Sequence, residues 1–94
     1  TSATYTILES DDIIGVTYTI TGAVTVTLPQ ISGLADDKKK KFVIVDEGGN
    51  ASNNNITIAT TGGDTVNGNS NYVINGSYTS ISVYSDTVSN WVIY

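Results

Sequence analysis

Short runs in which apolar residues alternate with threonine or serine recur along most of this chain. In one such run, Val24, Val26 and Leu28 alternate with Thr25 and Thr27. A period of two residues places alternate side chains on opposite faces of an extended strand, so one face is apolar and the other polar. Threonine suits the polar face, because its β-branched side chain favours strands and its hydroxyl tolerates water. No segment has a convincing helical period, so the sequence predicts an all-β fold.

The alternating runs and the turn residues between them predict eight short strands. They are Thr4–Leu8, Ile13–Ile20, Ala23–Leu28, Lys41–Asp46, Asn55–Thr60, Tyr72–Asn75, Thr79–Ser85 and Asn90–Ile93. Thr21-Gly22 predicts a tight hairpin turn, and the segment from Gly48 to Asn55 predicts a polar hairpin loop. About eight strands at regular spacing predict an antiparallel β-sandwich or a jelly-roll-like small barrel.

Length and composition predict one small domain. The 94 residues are expected to form a single all-β domain, with residues 1–4 as an extended N-terminal arm. The chain has no cysteine, so no disulfide can stabilise it, and small domains of this kind often gain stability by oligomerising. No apolar run approaches the roughly 18 residues that span a membrane, so no membrane partner is expected.

Two apolar runs break the alternation, at Phe42-Val43-Ile44-Val45 and at Trp91-Val92-Ile93-Tyr94. A continuous apolar run fits a strand that is covered on both faces. The second face can belong to the core or can meet another subunit, and both readings stay open. The residues that we expect near a subunit interface are Phe42, Val43, Val45, Trp91 and Tyr94.

The residues needed for catalysis are largely missing. The chain has no histidine and no cysteine, so the common general base and the best nucleophile are absent. Asp11-Asp12 and Asp46-Glu47 are adjacent carboxylates, but neighbours on a strand point to opposite faces and do not share a site as glycosidase carboxylates do. The sequence therefore predicts a protein that is not an enzyme and has no cofactor.

One turn has residues suited to calcium. Asp64, Asn67 and Asn69 lie in a glycine-rich segment and offer oxygen ligands. Their spacing does not match the EF-hand loop, and Asp and Asn in turns usually cap their own backbone. No metal site is therefore predicted.

Charge and aromatic residues suggest possible contact surfaces. The net charge of -5 argues against nucleic acid as a partner, because binding to phosphates needs a basic surface. All the basic residues stand together at Lys38–Lys41, which is either a solvated loop or an electrostatic contact to an acidic partner. The aromatic residues form either a sugar-stacking surface or core and interface; they are Tyr72, Tyr78, Tyr84, Trp91 and Tyr94.

An ordered set of short motifs covers most of the chain from residue 24 onward. The set comprises Val24–Pro29, Phe42–Asp46, Gly49-Asn50-Ala51, Asn54–Ile58, Gly63–Gly68, Tyr84-Ser85-Asp86 and Asn90-Trp91. In order and spacing they resemble small β domains in virion proteins of tailed bacteriophages. The chain departs from that pattern at Asp36–Lys41, where a shorter glycine-containing turn is expected, and at Thr87-Val88, where glycine is expected after Asp86.

The resemblance implies a non-enzymatic virion role, commonly as a homotrimer. We expect a capsid cement or decoration protein on the outer surface of the capsid that clamps neighbouring subunits of the major capsid protein, because no stalk or coiled coil is present to make a fibre. The alternative is the tip domain of a head or tail fibre, which binds a host surface glycan or receptor. The expected capsid contacts are Thr1, Ser2, Ala3, Thr4, Lys38, Lys39, Lys40 and Lys41.

Overall fold

A computed structural model describes residues 3–17, 22–34 and 40–94 of the chain. The strands are β1 (Ala3–Thr6), β2 (Ile13–Gly15), β3 (Val24–Thr27), β4 (Lys41–Val45), β5 (Ile56–Ala59), β6 (Thr65–Val66), β7 (Asn71–Ile74), β8 (Ser80–Ser85) and β9 (Asn90–Ile93). A single 3-10 turn covers Ile31–Gly33. The β-rich prediction is confirmed, and each predicted strand overlaps an observed one. The predicted strand Ile13–Ile20 is found only at Ile13–Gly15, and its residues 18–20 lie outside the described residues. The two-residue strand β6 is not among the predicted strands. Within the described ranges, no helix has the length and apolar character needed to cross a bilayer.

The strands form two sheets that enclose one core. One sheet has four strands in the order β1-β3-β5-β7, and the other has five in the order β2-β4-β8-β9-β6. The pairs β1–β3, β3–β5, β2–β4 and β6–β9 are parallel. The pairs β5–β7, β4–β8 and β8–β9 are antiparallel. The fold is therefore sandwich-like with two mixed sheets, and the described strands do not close into a barrel.

The expected antiparallel hairpins are mostly wrong, because successive strands from β1 to β8 alternate between the two sheets. The segment from Gly48 to Asn55 links β4 in one sheet to β5 in the other, so it is not a hairpin loop. Gly22 likewise lies between β2 and β3 of different sheets, and Thr21 is outside the described residues. Parallel neighbours need a crossover between them. Here a strand of the opposite sheet supplies it, and only β8 and β9 pair as consecutive strands.

The core is built from the alternate residues of each strand that face the other sheet. Phe42 and Trp91 are fully buried at its centre, with ring centroids 5.5 Å apart and the rings tilted by 44°. Burying a large apolar side chain contributes about 1.5–3 kcal/mol. The other large core residues with almost no exposed surface are Ile7, Val26, Leu28, Ile31, Ile44, Ile56, Ile58, Val66, Ile74 and Val83. One chain therefore closes a continuous core by itself.

A buried carboxylate at the end of β4 holds two turns in place. Asp46 is only 2% exposed, and its oxygens accept hydrogen bonds from the backbone N–H groups of Ala51 at 2.9 Å, Tyr78 at 2.9 Å and Asn50 at 3.2 Å. Burial acts to raise the pKa of Asp46, but the backbone N–H groups outweigh it and hold the pKa below its ordinary value. The ionised carboxylate is thus a structural bridge between residues 46–51 and Tyr78.

Candidate interaction surface

The outer faces of the two sheets differ in chemistry. On the four-stranded sheet the outward positions are mainly threonine, at Thr4, Thr6, Thr25, Thr27 and Thr57. On the five-stranded sheet the outward positions alternate with inward residues such as Phe42, Ile44 and Val83, and they fall into two sets: polar residues such as Lys41, Ser80 and Ser82, and apolar residues. We call this second set the outer apolar face; it consists of Ile13, Val43, Val45, Tyr84, Val92 and Tyr94.

The outer apolar face is connected across the strands, although the register places Ser82 opposite Val43 and Ser80 opposite Val45. Ile13 of β2 lies beside Val43 of β4, and Tyr84 of β8 lies beside Val92 of β9. The N–H of Tyr94 donates to the carbonyl of Ser82 at 3.0 Å, which ties the last residue of the chain to β8. The rings of Tyr84 and Tyr94 then meet edge to face, with centroids 5.4 Å apart and an angle of 64°. Residues from four strands therefore form one connected surface.

A groove of about 670 Å³ crosses this face, and its walls include Ile13, Val43, Tyr84 and Tyr94. Ile13 is 68% exposed and Tyr94 is 62% exposed. A single exposed apolar residue is ordinary, but a contiguous apolar patch with a polar rim marks a contact site. The groove can therefore accept apolar side chains of a partner.

Charged groups line the rim of the groove. Lys40 Nζ lies 3.5 Å from Asp12 Oδ1 and 5.6 Å from the centre of the Phe42 ring. The side chain of Lys40 is only 25% exposed, whereas that of Asp12 is 84% exposed. Lys41 points outward on β4, directly beside Tyr84 in the register. Lys40 is thus engaged within the chain, and Lys41 is the described basic residue that faces the groove from the strand.

The structure divides the residues that we expected at a subunit interface. Val43, Val45 and Tyr94 lie on the outer apolar face, so the proposal for these three residues stands. Phe42 and Trp91 do not, because both are fully buried in the core of one chain and leave no side-chain surface for a partner. The correction follows from the period of two: only alternate residues of an apolar strand can face outward.

Sequence reasoning missed Ile13, which is the most exposed residue of the outer apolar face. A signal was available in the pair Ile13-Ile14. Because neighbours on a strand face opposite ways, an apolar pair at a strand start must expose one member.

The expected capsid contacts are only partly described. Ala3 and Thr4 belong to β1, where they pair in parallel with Val24 and Thr25, so they are not part of a free arm. Thr1, Ser2, Lys38 and Lys39 lie outside the described residues. The predicted extended arm is therefore wrong for Ala3 and Thr4, because their backbone is engaged in a sheet.

Two of the three turn residues considered for calcium, Asp64 and Asn67, accept hydrogen bonds from the backbone. Asp64 Oδ2 accepts a hydrogen bond of 2.8 Å from the N–H of Ile31, which starts the 3-10 turn. Asn67 Oδ1 accepts one of 3.0 Å from the N–H of Ile93. In the part of the chain that the structure describes, no three acidic, histidine or cysteine residues gather as a metal-binding group. These side chains therefore fasten loops to strands.

One exposed pair of titratable groups is coupled. Tyr5 Oη donates a hydrogen bond of 2.6 Å to Asp11 Oδ2, and the N–H of Leu8 donates to the same oxygen at 2.9 Å. The hydrogen bond from Tyr5 and that from Leu8 lower the pKa of Asp11, and the bond to Asp11 raises the pKa of Tyr5. These hydrogen bonds tie the loop at Leu8 and Asp11 to Tyr5 of β1.

No protein-family model matches this sequence, and no curated protein matches it significantly.

Proposed function

We propose that this chain is a non-enzymatic structural protein of a tailed-phage virion. It acts as a trimeric cement or decoration protein on the outer surface of the capsid, where it clamps neighbouring subunits of the major capsid protein. The outer apolar face is the observation that carries this proposal. The core of one chain is complete without that face, so its apolar side chains are available to a second molecule.

Self-association is the first role of the outer apolar face. A specific interface takes about 800 Å² from each partner, which is roughly a sixth of the chain's surface of 4972 Å². A contact on this scale occupies most of one sheet face in a domain this small. Aromatic anchors such as Tyr84 and Tyr94 suit its centre, because they bury large areas at low entropic cost. The homotrimer itself is taken from the resemblance to phage virion domains.

Capsid binding is assigned to an edge strand and to the basic run, whose last two residues, Lys40 and Lys41, border the groove on the outer apolar face. β1 is an edge strand and pairs only with β3 among the described strands, so its other edge can accept an extended capsid segment. The basic run from Lys38 to Lys41 steers the acidic chain toward negatively charged capsid sites. Three copies on one trimer multiply weak contacts into avidity.

Binding of the purified protein to virus particles stripped of it tests the capsid role. We expect saturable binding, and imaging of intact particles should locate the protein on the capsid. Replacing Lys38, Lys39, Lys40 and Lys41 by serine should mainly slow association and flatten its salt dependence, since charge steering is screened within about 8 Å at physiological salt. A matched variant with the exposed Asn69 and Ser70 replaced by alanine should bind like the wild type.

Two results would count against this account. If the serine variant binds at an unchanged rate with an unchanged salt slope, the basic run is only a solvated loop. If stripped particles do not bind the protein and imaging finds it at fibre tips, the chain is a fibre tip domain instead.

A further inference from the structure

Tyr78 has a backbone conformation that tyrosine rarely adopts. Its φ angle is +63°, in the left-handed region that normally needs glycine. A bulky residue keeps this strained conformation only when its surroundings hold it in place. Such outliers cluster at functional sites, where a strained residue is kept for what it does.

The surroundings of Tyr78 hold it firmly. Its N–H donates to the buried carboxylate of Asp46 at 2.9 Å, and the N–H of Asp46 donates to the carbonyl of Thr79 at 3.0 Å. The ring lies against Gly49: a Cβ placed on that glycine would be 2.2 Å from the ring carbon Cζ. The two turns therefore fix both the backbone and the ring of Tyr78.

Despite this support, the residue is 72% exposed, so the ring is displayed rather than buried. One side of the ring rests on the backbone at Gly49, and most of its surface is open to solvent. The contact with Gly49 stabilises the fold only slightly, because hydrophobic stabilisation scales with the apolar area removed from water and most of this ring remains exposed. The exposed ring of Tyr78 is therefore a small contributor to the hydrophobic stability of the chain.

The neighbouring groups are small, polar and uncharged. Ser77 Oγ donates to Ser52 Oγ at 2.9 Å, and the N–H of Ser52 donates to Ser77 Oγ at 3.4 Å. Asn53 and Asn75 are exposed on the same two turns. Of the two carboxylates beside this turn, Asp46 is buried and bonded to backbone N–H groups, and the exposed Glu47 lies against Gly15 of β2. Hydroxyl and amide groups around a fixed aromatic face are suited to an uncharged polar ligand.

We propose that the Tyr78 turn, made of Gly49, Ser52, Asn53, Ser77 and Tyr78, is a binding site for a neutral saccharide. The negative face of the ring attracts the C–H groups on the apolar face of a sugar ring. Hydroxyl and amide side chains beside the ring then exchange hydrogen bonds with the sugar hydroxyls. The absence of a cation from this turn and the net charge of -5 disfavour anionic sugars. This site does not depend on the proposed function, because it lies on turns and not on the outer apolar face.

An array of neutral and anionic oligosaccharides tests the site, and saturation-transfer NMR at millimolar ligand checks each hit. The wild type should bind a neutral saccharide. Tyr78→Asn removes the ring and accepts the left-handed conformation, and it should lower affinity about tenfold or more, the loss expected for one aromatic contact. Tyr78→Phe keeps the ring, so its affinity for the saccharide should fall by less than about threefold. Tyr72→Ala removes a different exposed tyrosine and should bind like the wild type.

Thermal unfolding of the same variants separates binding from folding. Tyr78→Asn should leave the unfolding temperature unchanged or raise it, because it relieves the backbone strain. A fall of more than about 5 °C, roughly 1 kcal/mol for a domain of this size, would show that the ring is structural. The site would also be refuted if no neutral saccharide binds, if only anionic ones do, or if Tyr78→Asn binds as tightly as the wild type.

Discussion

The buried carboxylate of Asp46 and the backbone N–H of Tyr78 form a hydrogen bond of 2.9 Å between residues 32 positions apart in the sequence. The same carboxylate oxygen accepts from Ala51 at 2.9 Å. One side chain thus joins the turn that leaves β4 to the turn that enters β8. This junction sets the end of the sandwich on which Tyr78 is displayed.

Asp46→Asn should be strongly destabilising. The amide nitrogen of asparagine cannot accept hydrogen bonds, so at least one buried backbone N–H loses its partner. We expect a loss of about 3 kcal/mol in the free energy of unfolding, since bonds to a charged acceptor are among the strongest in proteins. Chemical denaturation measures it. Asp12→Asn is the matched control: that side chain is 84% exposed, and its replacement should change stability by under about 0.5 kcal/mol. Equal effects of the two variants would contradict the structural role of Asp46.

Acid should weaken the fold through Asp46. Because its pKa in the folded chain lies below the ordinary value of 3.8, ionisation stabilises the fold. That contribution is complete above pH 3.8 and is lost as the pH falls through the lower folded-state pKa. Unfolding curves of the wild type across this range should therefore show falling stability, and Asp46→Asn should show a shallower fall. Parallel curves for the two proteins would assign the acid sensitivity to other carboxylates.

Thr87→Gly should stabilise the chain. Thr87 has φ +70°, and it lies in the turn where Asp86 Oδ1 accepts from the N–H groups of Val88, Ser89 and Asn90. This is the position at which the phage-domain pattern leads us to expect glycine. Because glycine adopts the left-handed conformation without strain, the free energy of unfolding should rise by about 1 kcal/mol. For a domain of this size, that corresponds to a rise of about 4–8 °C in the unfolding temperature. Val88→Gly, at the next and ordinary position, should not stabilise; a gain there equal to that of Thr87→Gly would refute the explanation.

The strands were predictable because alternation is a local property of the sequence. It gives the faces of Val24, Val26 and Leu28 without knowledge of any partner strand. Alternation does not indicate which strands pair, so it could not predict that the sheets are mixed and contain parallel neighbours. Thr65–Val66 is also too short to show a period, and its place in the sheet depends on its pairing with β9.

The candidate surface was half predictable for the same reason. Val43, Val45 and Tyr94 came from apolar runs, but the runs alone could not say which members face inward, so Phe42 and Trp91 were included. The Tyr78 turn was harder to foresee. Asn75-Gly76 predicts a turn, but the residue with the left-handed conformation is Tyr78, two positions after Gly76. Its N–H donates a hydrogen bond to Asp46, which is distant in the sequence and cannot be identified as its partner from local pattern.

Light scattering of the purified protein at micromolar concentration tests the central proposal most directly. We expect one species with three times the 9.9 kDa mass of a single chain. Tyr94→Asp, on the outer apolar face, should dissociate it, whereas Thr57→Asp, on the outer face of the other sheet, should not. A monodisperse, heat-stable monomer, or a trimer that persists in Tyr94→Asp, would contradict self-association through the outer apolar face.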